Sequence, residues 1–136
     1  MNRTTLAPLS LVLLALAGCA GGSGTIGEGP IYPDIAQSQV LDVQAFRDET
    51  DLTLINTSER AFGPSRMWVN HRYSRDIPGL AVGEKITLNL YDFKDRYAED
   101  FRAGGFFATQ RPDRVALLQI QEGDAIYGLV ITGETQ

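Results

Sequence analysis

Beyond residue 37, apolar and polar residues alternate with period two, the spacing that places successive side chains on opposite faces of a strand. The run EKITLNL, 84–90, alternates most regularly, with Ile86, Leu88 and Leu90 on one side and Lys85, Thr87 and Asn89 on the other. That is the pattern of a sheet with one wet face. VLDVQAF, 40–46, and DLTLIN, 51–56, flank the polar stretch Arg47-Asp48-Glu49-Thr50 and predict a hairpin. RMWVNHRY, 66–73, is a third expected strand, and GFFAT, 105–109, a short one. RVALLQIQ and AIYGLVIT enclose Glu122-Gly123-Asp124 and predict a second hairpin. Both faces of this pair are apolar, so it belongs at the centre of the fold.

One stretch follows a different period. Phe93, Tyr97 and Phe101 recur every four residues, which stacks three rings on one helical face. Asp92 suits the N-cap of such a helix and Gly104 its C-terminal stop. The three rings are expected to be core. Short strands at near-regular spacing with turns between them predict a mainly β domain, an antiparallel β-sandwich of about seven strands with one short helix.

Residues 1–36 lack this alternation. Arg3 is the one charged residue before an unbroken apolar run, 11–16, and small residues follow at Ala17, Gly18 and Ala20. A basic start, an apolar centre and a small-residue cleavage zone are the parts of a secretory signal peptide. The run is shorter than the ~20 apolar residues that span a bilayer core. The sole cysteine, Cys19, closes it. Leu16-Ala17-Gly18-Cys19 resembles the lipobox of bacterial lipoproteins. That resemblance implies cleavage before Cys19 and attachment of diacylglycerol to its thiol, so residues 1–18 are the signal peptide and Cys19 the lipidation site. The membrane is then a partner through the N-terminal lipid. Ala20, in place of Asp, is the sorting residue that leans towards an outer membrane, on its periplasmic face or at the cell surface. The alternative is an ordinary secretory signal and a soluble secreted protein. Residues 19–36, glycine-rich up to Pro30, read as a flexible tether, and residues 37–136 as the domain.

LTLINTSERAFGPSRMWVNHRY followed by IPGLAVGEKITLNL resembles the immunoglobulin-like domains of bacterial envelope proteins. There a strand ends in an Asn-Thr-Ser-type turn, a strand with an aromatic follows, and a Gly-Glu turn starts the next. The resemblance implies an immunoglobulin-like sandwich and no particular site.

Charge narrows the partners. The chain carries 12 basic and 17 acidic residues, and removal of the signal peptide takes Arg3 with it. A net acidic domain does not suit nucleic acid, where affinity comes from neutralising phosphates, nor does it suit lying flat on anionic lipid. A single histidine, His71, and a lipidated cysteine leave no ligand set for zinc and no thiol for a disulfide. No Gly-x-Ser-x-Gly elbow partners His71. Asp48, Glu49 and Asp51 form a compact acidic group without the spacing of a calcium loop; a solvated hairpin tip explains them. No catalytic, metal or cofactor site is assigned.

Three residues are candidates for binding. Trp68 and Arg72 share the strand face opposite Met67 and Val69, and Phe107 follows Phe106 in a stretch bracketed by Arg102, Arg111 and Arg114. Aromatic and arginine side chains dominate interface energetics. The expected function is a non-catalytic accessory or protein-interaction module of the cell envelope, with an envelope protein as partner. The alternatives are a small-ligand-binding envelope lipoprotein, which needs a deep apolar cleft, and an envelope hydrolase, which needs carboxylates converging with His71.

Overall fold

A computed structural model describes residues 29–135. Cys19, the signal peptide and residues 19–28 of the tether lie outside the described residues. Seven strands follow one another: β1 (Gln37–Asp48), β2 (Asp51–Asn56), β3 (Ser65–Val69), β4 (Tyr73–Ile77), β5 (Lys85–Asn89), β6 (Leu118–Glu122) and β7 (Ala125–Thr135). They form one sheet in the order β4-β3-β6-β7-β1-β2-β5, curled into a half-barrel. Every neighbouring pair is antiparallel except β1 and β7, which run parallel. The sheet is therefore mixed and continuous. β1 joins its two halves by pairing with β2 along one edge and β7 along the other, with register shifts in the β7 ladder.

The alternation seen in the sequence sorts side chains by face. Val43 and Ala45 of β1, Leu52 and Leu54 of β2, Met67 and Val69 of β3, Leu88 of β5 and Leu118 and Ile120 of β6 fill one inner core. Each turns inward with period two, as a pleated strand requires.

Two expected elements are different. RMWVNHRY is two strands, because Asn70 and His71 both adopt positive φ, 53° and 60°. Two consecutive left-handed residues make the tight turn that matches strand twist, and the Arg72 N–H donates to the Val69 carbonyl across it at 3.1 Å. The expected helix over Phe93, Tyr97 and Phe101 is absent. The only helical element among the described residues is a single 3-10 turn, Leu90–Asp92. Residues 93–101 instead double back on themselves. The Phe101 N–H donates to the Phe93 carbonyl at 2.9 Å and the Asp95 N–H to Glu99 at 3.0 Å. The Asp95 side chain captures the N–H groups of Tyr97 and Glu99 at 2.8 and 3.0 Å. An aspartate that binds its own downstream backbone competes with helix formation. Phe93 and Phe101 are fully buried, whereas Tyr97, at the tip, is 60% exposed.

The expected strand at 105–109 is also absent. Residues 93–117 instead cross one end of the half-barrel, from β5 to β6. The β1–β2 turn and the β3–β4 turn lie at that same end, as the pairings of Asp48 with Asp51, Asp51 with Asn89 and Val69 with Tyr73 require. Phe93, Phe101, Ala103 and Val115 close this end of the core.

Residues 29–36 run along the outside of the sheet. The Gly29 N–H donates to the Arg96 carbonyl at 2.8 Å, at the crossed-over end, and the chain reaches β1 at the opposite end. On the way, Tyr32 packs edge-on to Trp68, with ring centroids 5.3 Å apart. Its hydroxyl donates to Gln119 at 3.0 Å. A Cβ at Gly128, in the middle of β7, would meet the Gln37 amide at 2.7 Å, so the end of that side chain would have to move aside.

Candidate functional site

The most exposed apolar feature of the domain is built on the crossing segment. Gly104 and Gly105 have φ of 90° and 103°, a region that side chains with a Cβ rarely enter. They turn the chain outward into a four-residue turn, closed by the Ala108 N–H donating to the Gly105 carbonyl at 3.0 Å. Phe106 and Phe107 occupy the two central positions. They are 94% and 91% exposed and stand edge-to-face at 5.0 Å.

The base of this loop is held firmly. Arg102 and Asp113 close it twice: the Asp113 N–H donates to the Arg102 carbonyl at 2.9 Å, and the guanidinium grips both carboxylate oxygens at 3.1 and 2.7 Å. The Asp113 carboxylate beside it raises the Arg102 pKa further. Beneath lies Arg47, which is 1% exposed. It donates to the carbonyls of Glu49, Asp113 and Ala103 at 2.8, 2.6 and 2.7 Å and to Glu134 at 2.6 Å. One buried guanidinium thus ties β1, the end of β7 and both arms of the loop together. Tyr91 donates its hydroxyl to the Gly104 carbonyl, and Asn70 holds the returning chain through Arg114, Ala116 and Leu117. Compact loops with adjacent ends, packed by their own side chains, are frequent carriers of function. An open groove of about 400 Å³ runs beside Phe106, between Glu49 and Pro112.

The three candidate residues do not come together. Phe107 is at this tip. Trp68 is 1% exposed; Tyr32 covers it, and its indole N–H donates to Gln121 at 2.8 Å. Arg72 is committed to an ion-paired cluster, donating to Asp95 at 2.8 Å and Glu99 at 3.0 Å. Asp95 is 2% exposed. Burial acts to raise its pKa, but Arg72 and the backbone N–H groups of Glu99 and Tyr97 outweigh this and hold it below the ordinary value. His71 sits in the β3–β4 turn against the Tyr32 ring, 4.4 Å between centroids.

Asp48, Glu49 and Asp51 lie at the β1–β2 turn, where Asp48 accepts a hydrogen bond from the Thr135 hydroxyl at 2.6 Å. Among the described residues no three His, Cys, Asp or Glu side chains converge as metal ligands would. Asn56, the first residue of the Asn-Thr-Ser sequence, is buried and donates to the carbonyls of Arg60 and Leu80.

Arg47, expected in the polar loop of the first hairpin, is instead the buried end of β1, and its phase shows this: it continues the inward series Val43, Ala45, Arg47. Gly104, expected to stop a helix, instead joins Gly105 in a turn that lifts the phenylalanine pair into solvent. No protein family, no curated protein and no solved structure matches this chain.

Proposed function

We propose that this protein is a lipid-anchored component of the cell envelope, attached through Cys19, whose domain acts by contact rather than catalysis. The observation that carries the reading is the Phe106–Phe107 tip. Two adjacent rings stand almost wholly in solvent on a loop anchored by a buried arginine. Leaving them there is unfavourable by roughly 1.5–3 kcal/mol per side chain relative to burial, and apolar surface displayed this way marks an interaction site. Leu16-Ala17-Gly18-Cys19 supports the anchor, and Ala20 supports an outer membrane as its address.

The sheet order supports an immunoglobulin-like reading of the domain. β7-β6-β3-β4 runs in the order G-F-C-C′ of such domains and β1-β2-β5 in the order A-B-E. On this reading the two sheets of the sandwich are joined edge to edge through the first and last strands.

The anchor is tested by growing cells with a labelled fatty acid and fractionating them. The wild type should carry label and sediment with membranes, and Cys19→Ser should lose both. A Cys19→Ser protein that still takes up label would refute the attachment site.

A further inference from the structure

We propose that the Phe106–Phe107 tip inserts into the bilayer that holds the lipid anchor, so that the domain stands end-on to the membrane with its crossed-over end facing lipid. The proposal rests on the reading of Cys19 as the lipidation site and adds an orientation and a second point of contact. Three observations carry it.

The first is where the described chain begins. Gly29 is bonded to Arg96, at the end of the half-barrel crossed by residues 93–117, and the phenylalanine tip rises from that same segment. About ten residues separate Gly29 from Cys19. Even fully extended, a chain of that length reaches at most roughly 36 Å, less than the roughly 40 Å spanned by the twelve residues of β1. An anchor at Cys19 therefore keeps the crossed-over end near the headgroups and raises the effective concentration of the tip there.

The second is the shape and chemistry of the tip. Residues 105–110 are all exposed, and the apolar part is confined to two rings at the head of a turn. Phenylalanine at the apex of a narrow projection enters the headgroup and acyl boundary without carrying ordered backbone far into hydrocarbon, where unpaired N–H and C=O groups are excluded. The Ala108 to Gly105 bond keeps the turn's own backbone partly satisfied.

The third is the charge around it. The domain as a whole is acidic and would be repelled from lying flat on anionic lipid. At the loop, Arg102, Arg111 and Arg114 are exposed. Their acidic neighbours Asp113 and Glu134 are only 26% and 16% exposed and are drawn inward to the arginines. Glu49 lies in the adjacent groove. The rim beside the two rings thus presents guanidinium groups to lipid phosphates, alongside the exposed Asp48, Glu49 and Asp51 of the β1–β2 turn at the same end.

The test uses the full-length protein, produced with its lipid modification and reconstituted in vesicles of phosphatidylethanolamine and phosphatidylglycerol. Phe107→Cys carries a polarity-sensitive fluorophore, and Asp124→Cys, in the β6–β7 turn at the opposite end, carries the same probe. Fatty-acid labelling of each preparation reports the anchor separately. The expected result is blue-shifted emission at position 107, quenched by lipids bearing a nitroxide on the acyl chain, with water-like, unquenched emission at position 124. If the protein carries fatty acid but the probe at 107 stays water-like, the insertion is overturned and the anchor stands. If no fatty acid is attached, the anchor reading fails and the proposal falls with it. Shielding at 107 only in native membranes, and not on pure lipid, would assign the tip to a protein partner and equally overturn insertion.

Discussion

Tyr32 and Trp68 meet edge-to-face at 5.3 Å, and Phe106 and Phe107 do the same at 5.0 Å. The first pair lies on the outer face of the sheet and is sealed by the chain itself, which runs back across β3 and leaves Trp68 1% exposed. The second pair is more than 90% exposed, yet its loop is tied down by the buried side chain of Arg47, which donates to three carbonyls and Glu134. The contrast teaches that exposure here is not a failure of packing. The domain covers an aromatic residue on its outer face with the segment that leads into β1, while it commits a buried guanidinium to holding two rings in solvent.

The comparison breaks most severely if Arg47 is removed. Arg47→Met leaves Glu134 and three carbonyls facing an apolar chain, and taking away one partner of a buried pair costs about 3–5 kcal/mol. Urea unfolding should show that loss. A loss below about 1 kcal/mol would mean that Arg102–Asp113, Tyr91 and Asn70 hold the loop without it.

Asp95 governs the other arm of the crossing segment. Asp95→Ala removes a carboxylate that accepts from Arg72, Tyr97 and Glu99, each a charge-assisted bond, and should cost about 2 kcal/mol. The effect depends on pH with a definite sign. The folded-state pKa lies below the ordinary value of 3.8, so the unfolded chain binds the proton more readily. The stabilisation is complete above the unfolded value and is lost as pH falls through the folded one. The gap between wild type and Asp95→Ala should therefore be constant near neutrality and shrink below about pH 4, as read from chemical denaturation at a series of pH values.

Five strands of the sheet were legible: three from inward sets that recur with period two, Val43 and Ala45, Leu52 and Leu54, and Ile86 and Leu88, and β6 and β7 from apolar runs on both sides of Glu122-Gly123-Asp124. The β3–β4 hairpin was hidden by the same rule. A two-residue turn preserves parity, so Met67, Val69, His71 and Tyr73 stay in phase through a reversal that alternation cannot register. The four-residue spacing of Phe93, Tyr97 and Phe101 likewise fits a helix and a doubled-back segment equally. The Asp95 side chain decides between them, since it offers the backbone an alternative to the helical ladder. Seven strands were expected and seven exist, with 105–109 lost and 66–73 divided. The continuity of the sheet was not legible, because it depends on β1 pairing with β7 across nearly the whole length of the chain. Of the candidate site, Phe107 was visible from its neighbours. The burial of Trp68 was not, since Tyr32, 36 residues away, gives no local sign of it.

The covered pair offers a gentler test. Tyr32→Ala removes an edge-to-face contact worth about 0.5–1.5 kcal/mol and a hydrogen bond to Gln119 worth about 1 kcal/mol, so the domain should lose about 1–2 kcal/mol. Trp68 is the only tryptophan, and its emission reports this face directly. The variant should unfold at lower urea and emit further to the red while still folded. Unchanged emission would mean that other residues, and not Tyr32, exclude water from the indole.

The smallest expected effect on stability belongs to the tip, and it sharpens the contrast most. Phe106→Ser and Phe107→Ser delete apolar surface that touches almost nothing but the other ring, so the folded state forgoes little beyond that one pairing. Substitutions at such positions change stability by no more than about 0.5 kcal/mol, and the double variant should unfold within that margin of wild type. The same double variant should no longer enter lipid in the way proposed for the tip, because the two rings are its whole apolar content. Unchanged stability together with a tip that stays in water would separate the loop's purpose from the fold's upkeep. A destabilisation of 2 kcal/mol or more, by contrast, would mean that the rings pack against the domain in solution, folding into the groove between Glu49 and Pro112. The difference between the two aromatic pairs would then vanish.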